Sequence, residues 1–111
     1  SFGDSGRVTA GVPGYRSHGY EHGLAIQPDG KIAFSGIVES APNTNGDFAL
    51  GRLNSNGTLD TTFGSAGTGI VVTDFYVTND HAWGGLARQA DGRIVVVGQV
   101  STQIGLARYM P

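Results

Sequence analysis

The stretch Gly23-Leu24-Ala25-Ile26-Gln27-Pro28-Asp29-Gly30-Lys31-Ile32 returns as Gly85-Leu86-Ala87-Arg88-Gln89-Ala90-Asp91-Gly92-Arg93-Ile94, an offset of 62 positions. Self-similarity at a fixed period marks a repeat architecture, in which one supersecondary unit stacks on the next. Working outward, Phe2-Gly3 matches Phe63-Gly64 at an offset of 61, and Gly6 matches Gly67. Downstream, Phe48-Ala49-Leu50-Gly51-Arg52 matches Ile104-Gly105-Leu106-Ala107-Arg108 at an offset of 56. The drop from 62 to 56 removes about six residues from the loop between Glu39 and Gly46 in the second copy. Repeat folds tolerate insertions of this kind in a single loop. The copies divide as 1–62 and 63–111.

Each copy reads as four short strands. The first lies near Arg7 to Ala10, matched by Gly69 to Thr73, and the second covers Gly23 to Gln27 and Gly85 to Gln89. The third covers Lys31 to Val38 and Arg93 to Val100, and the fourth Asp47 to Leu53 and Gly105 to Tyr109. Asp29-Gly30 and Asp91-Gly92 sit between second and third strands, where glycine accepts the positive φ of a tight hairpin turn. No stretch sustains a 3.6-residue apolar period, so helix is not expected. Ile94-Val95-Val96-Val97 is continuously apolar, and Ile32-Ala33-Phe34 is similar. A strand wetted on one face would alternate, so these strands predict sheets covered on both faces. Four-stranded blades stacked around an axis meet that demand. The fold class expected is therefore all-β, two antiparallel blades of a β-propeller, with a sandwich or barrel of the same strands as the structural alternative.

Composition agrees. Apolar residues make up 39% and charged residues 14% of the 111 positions, and 19 glycines are scattered along the chain. Such a chain is too apolar and too weakly charged to be disordered by self-repulsion. Its seven Lys and Arg, at a net charge of −2, form no basic stripe, which argues against nucleic acid as a partner. No apolar run reaches the roughly 18 residues of a membrane helix, so no membrane partner is expected. No basic-then-apolar leader begins at Ser1, so either a leader has been removed or the chain belongs to something longer.

The motifs also carry a resemblance. Leu24-Ala25-Ile26-Gln27-Pro28-Asp29-Gly30-Lys31-Ile32, Asp47-Phe48-Ala49-Leu50-Gly51-Arg52-Leu53 and Asn54-Ser55-Asn56-Gly57-Thr58-Leu59-Asp60-Thr61-Thr62-Phe63-Gly64 together resemble the delta-60 repeat, a bacterial propeller-type repeat. The resemblance implies a propeller in secreted or cell-surface proteins and implies no reaction. Two departures stand out: the second copy has no counterpart of the linker, and both loops before the second strand carry His and aromatic residues.

Two blades leave an apolar face at each end and cannot close a ring. Identical copies joined head to tail close one when the rotation is right. The partner expected is thus the chain itself, as a cyclic homo-oligomer with a six-bladed homotrimer favoured, or further repeats of a longer protein.

Function should lie where the copies disagree. Tyr15-Arg16-Ser17-His18-Gly19-Tyr20-Glu21-His22 and Tyr76-Val77-Thr78-Asn79-Asp80-His81-Ala82-Trp83 hold all three histidines, the single tryptophan and three of the four tyrosines. Rings that stack on a pyranose beside groups that bond its hydroxyls suit a saccharide. The ligand-binding candidates are Tyr15, Arg16, His18, Tyr20, Glu21, His22, Tyr76, Asp80, His81 and Trp83; the plain alternative is that these rings plug the core between blades. An acid–base reading makes His22, His81, Asp80 and Glu21 the catalytic candidates of a small hydrolase or lyase, with the pairs Glu21-His22 and Asp80-His81. Such a pair needs a loop, because neighbours on a strand point to opposite sides. His18, His22 and His81 at this spacing are weak as a metal set, and no metal or cofactor is expected. A purely structural role in a larger propeller stays open. Arg52 and Arg108 are equivalent and read as scaffold, pairing with Asp side chains of hairpin or linker.

Overall fold

A computed structural model of the chain describes residues 1–40, 45–75, 80–81 and 85–111, with the backbone alone described at 18–22. The strands are β1 (Tyr15–Ile26), β2 (Ile32–Ser40), β3 (Gly46–Leu53), β4 (Ile70–Thr73), β5 (Asp80–His81), β6 (Leu86–Arg88), β7 (Ile94–Val100) and β8 (Gln103–Tyr109). Among the described residues there is no helix, and hence none long and apolar enough to cross a membrane.

All pairings are antiparallel. The first sheet has the order β1-β2-β3-β4. In the second, β5 and β6 both lie along one edge of β7, and β8 lies along the other. The two hairpins predicted from Asp-Gly are built alike. Gln27 N–H donates to the Lys31 carbonyl and Gln89 N–H to the Arg93 carbonyl, both at 2.7 Å. Gly30 and Gly92 have φ of 83° and 89°, and the preceding Asp accepts from the N–H of Lys31 or Arg93. The shortened loop also holds: β7 and β8 are joined by Ser101-Thr102 alone, whereas residues 41–45 separate β2 from β3.

Three strand expectations are corrected. Arg7 to Ala10 is not a strand; only the isolated bridge Asp4↔Arg7 occurs there. Its repeat-mate Ile70–Thr73 is a strand, but it pairs with β3, so the first sheet runs past the 62/63 repeat boundary. The stretch from Tyr15, expected as a loop, is already strand: Tyr15 to His18 pair with Ser40 to Ile37. The register then resets, since His18 faces Ile37 and Gly23 faces Ser35, leaving Gly19 to His22 opposite Gly36. The same edge is divided into β5 and β6 in the second sheet, where His81 faces Gln99 and the Gly85 carbonyl accepts from Val97 N–H. His18 and His81 therefore occupy one repeat position, each opposite the matched residues Ile37 and Gln99.

The sheets stack face to face. Ala33, Phe48 and Leu50 of the first sheet and Ile94 and Val96 of the second are fully buried in one cluster with Phe63. Phe48 meets Phe75 edge to face at 5.0 Å between ring centroids. A second cluster, Val38, Ala49 and Ile70, covers the other face of the first sheet with Ala10 and Val12. Gly23 sets the closeness of the stack: a Cβ there would lie 2.8 Å from the Leu86 backbone nitrogen of the facing sheet. Gly23→Ala should therefore destabilise the chain by about 1–3 kcal/mol in urea unfolding, the usual cost of overpacking. An unchanged midpoint would mean that the sheets part without cost.

The linker after β3 is held by ions. Asp60 Oδ2 accepts from Arg52 Nε at 2.7 Å and lies 2.9 Å from Lys31 Nζ, and Arg52 lies over the Phe63 ring at 4.6 Å. Burial pushes the Asp60 carboxyl up, but hydrogen bonds from Thr62, Lys31 and Arg52 outweigh it and hold the group well below the ordinary carboxylate range. Arg52 is scaffold, paired with an Asp of the linker as its repeat position implied.

Candidate functional site

The expected site residues divide sharply. Tyr15 and Arg16 open β1 as exposed side chains, facing Ser40 and Glu39 across the strand pair. His18, Tyr20, Glu21 and His22 lie on β1, but their side chains are outside the described residues, as are Tyr76 and Trp83 altogether. Asp80 and His81 form β5, with Asp80 fully buried and His81 half-buried. Strand alternation sets these two on opposite faces, which does not support an acid–base couple between them. Full burial likewise takes the Asp80 carboxylate out of an exposed sugar-binding rim.

Asp80 instead joins a cluster that residue patterns had not singled out. One carboxylate oxygen each from Asp47, Asp74 and Asp80 lies within 4.8 Å of the others. Asp47 is on β3, Asp74 follows β4 directly, and Asp80 comes from the second sheet. Phe75 N–H donates to Asp80 Oδ2 at 2.8 Å, while Asp80 Oδ1 is buried without a hydrogen-bond partner. Leaving a buried charged acceptor unsatisfied costs upward of about 1–3 kcal/mol. The ion pairs of Asp60 and Asp91 involve neither Asp47 nor Asp80. Burial, and then the negative charges of Asp74 and Asp80, push the Asp47 carboxyl above its ordinary value. One trace of the cluster was present in the sequence: the dipeptide Asp-Phe occurs at 47–48 and again at 74–75, and its two rings pack together as its two carboxylates converge.

A groove of about 890 Å³ lies on the far side of the first sheet, lined by Leu24, Phe34 and Ala49 and roofed by the segment around Val8 and Ala10. Its walls are mainly apolar, with Arg7, Thr9, Ser17 and Ser35 among them, and it does not contain the carboxylate cluster.

Comparison with known families bears on the scaffold. The family model described as a β-propeller domain of unknown function, DUF5122, matches residues 27–63 and 89–111, more than half of the chain. Both matched segments open on the glutamine that begins an Asp-Gly hairpin. The chain belongs to the DUF5122 β-propeller family. No curated protein and no solved structure matches it. In this DUF5122 chain the matched spans contain the Arg52–Asp60 lock and Asp47, whereas Asp74, Asp80 and both aromatic segments fall outside them. Family membership therefore accounts for the blades and assigns no role to the residues that differ between repeats.

Proposed function

We propose that this chain is a ring-forming unit, in which copies of itself complete the propeller and the segments Tyr15 to His22 and Tyr76 to Trp83, apart from buried Asp80, bind saccharide at the rim. One observation carries the first half: matched repeat positions have opposite burial. Phe48 and Leu50 are 0% exposed, but their counterparts Ile104 and Leu106 are 79% and 63% exposed. At the other end Leu24 is 68% exposed, while its counterpart Leu86 packs against the inter-sheet core. Each repeat thus carries the same two contact faces; the inner pair is covered, while Leu24 at one end and Ile104 and Leu106 at the other stay open. Among the described residues the outer edge of β8 is unpaired, which supports the same reading, since the equivalent edge of β3 is covered by β4. The repeat-mate of β4, the segment near Arg7 to Ala10, is the one that would cover β8 of a neighbouring copy.

A homotrimer with six blades is the favoured closure. Native mass spectrometry should give three times the chain mass; a monomeric mass under native conditions sinks the oligomer. Ile104→Asp, on a surface exposed in the single chain, should reduce that mass to the monomer while leaving the unfolding free energy of the monomer within about 0.5 kcal/mol.

Exposed Tyr15 and Arg16, and a histidine at the same register position in each blade, support a polar aromatic rim suited to sugars. Saturable binding without turnover on a glycan panel would bear this out. Turnover that disappears in His22→Ala and His81→Ala at unchanged native mass would assign a hydrolase or lyase instead. The delta-60 resemblance and a secreted or surface location belong to this same proposal.

A further inference from the structure

We propose that Asp47, Asp74 and Asp80 form a divalent-cation site of the hard, oxygen-liganded kind that calcium occupies, tying the first sheet to the second. The three carboxylate oxygens lie within 4.8 Å of one another. Oxygens that share one Ca²⁺ at about 2.4 Å can stand no farther apart than about 4.8 Å, and each pair of the three meets that limit. Proximity of acidic groups does not make a site. The second observation is Asp80: it is 0% exposed, its Oδ2 is engaged by Phe75 N–H, and its Oδ1 is buried with no partner. A buried anionic oxygen without a donor is what a cation would satisfy. The ligand type selects the metal class, since carboxylates without thiolate favour Ca²⁺, Mg²⁺ or Mn²⁺ over softer ions.

The placement also gives the ion a task. Asp47 and Asp74 belong to the first sheet and its outgoing chain, and Asp80 belongs to β5. An ion held by all three fixes β5 against the start of β3, beside the segment that carries His81 and Trp83. The site lies within one chain and does not depend on ring closure or on saccharide binding.

The test is calcium binding to the full chain after chelator treatment, at constant ionic strength, followed by calorimetry and thermal unfolding. Millimolar CaCl₂ should give saturable heat and raise Tm by about 4 °C or more. In Asp47→Asn and Asp80→Asn the calcium-dependent rise should vanish, while Tm without calcium stays equal or increases as like-charge repulsion is relieved. Asp47 is only half-buried, so Asp47→Asn remains informative if Asp80→Asn does not fold. Absence of both heat and Tm shift in the wild-type chain overturns the site, as does an undiminished shift in Asp47→Asn.

Discussion

Asp60→Ala should lower the stability of the chain by about 3–5 kcal/mol, the cost of breaking a buried ion pair from one side. Arg52 is 6% exposed and Asp60 3% exposed, so neither can turn to water without opening the linker. Removing the carboxylate leaves the guanidinium buried above Phe63 with its anion gone, and Thr62 loses the acceptor for its N–H and hydroxyl. Lys31 is more exposed and can recover solvent, so most of the loss falls on Arg52. The exposed pair Asp91 and Arg93 is the control, and Asp91→Ala should cost no more than about 1 kcal/mol, the worth of the turn hydrogen bond from Arg93 N–H. Acid offers a second readout. The folded Asp60 carboxyl titrates below its ordinary value of 3.8, so it stabilises the fold above that pH and loses the contribution as pH falls toward the folded value. The difference between wild type and Asp60→Ala should be full at pH 7 and shrink steadily below about pH 4. Urea unfolding at several pH values measures both; a difference independent of pH would remove the ion pair from the explanation.

The second large effect is expected at Phe48. Phe48→Ala should cost about 3–5 kcal/mol, because the ring fills the inter-sheet core at 0% exposure and its removal leaves a cavity beside Phe75. The informative comparison is Ile104→Ala at the matched position of the second repeat. In the dissociated chain Ile104 is 79% exposed, and its truncation should change stability by no more than about 0.5 kcal/mol. At concentrations where copies assemble, the cost of Ile104→Ala should grow with concentration, as mass action requires when a neighbour covers the site. Equal, concentration-independent costs at the two positions would mean that the second blade is already covered within one chain.

The blades were legible because their signals are local. Asp29-Gly30 and Asp91-Gly92 state a turn through the φ that glycine permits, and both turns formed with the same hydrogen bonds. Arg52 announced itself by recurring as Arg108. What escaped is pairwise and remote. Ile70–Thr73 has the composition of a strand, but nothing in four residues names the neighbour it joins, and β3 took it across the repeat boundary. Arg7 to Ala10 has a matching pattern and remains unpaired as a strand, because a sheet edge like that of β3 is what such a segment requires. The Asp cluster depends on β3 and β4 lying side by side, so Asp47 and Asp74 appear unrelated until that pairing is known. The aromatic segments were identified by composition alone. Composition states which chemistry is present without stating which side chains converge.

The crossing of β4 into the first sheet decides how this protein can be cut and copied. A gene segment ending at Thr62 would encode three strands and leave the β3 edge bare, a form prone to sticking to other edges. A cassette running from Tyr15 through Thr73 carries a finished sheet together with its Asp60 clasp. Arrays duplicated in that frame can lengthen by one blade at a time without orphaning a strand at any internal junction.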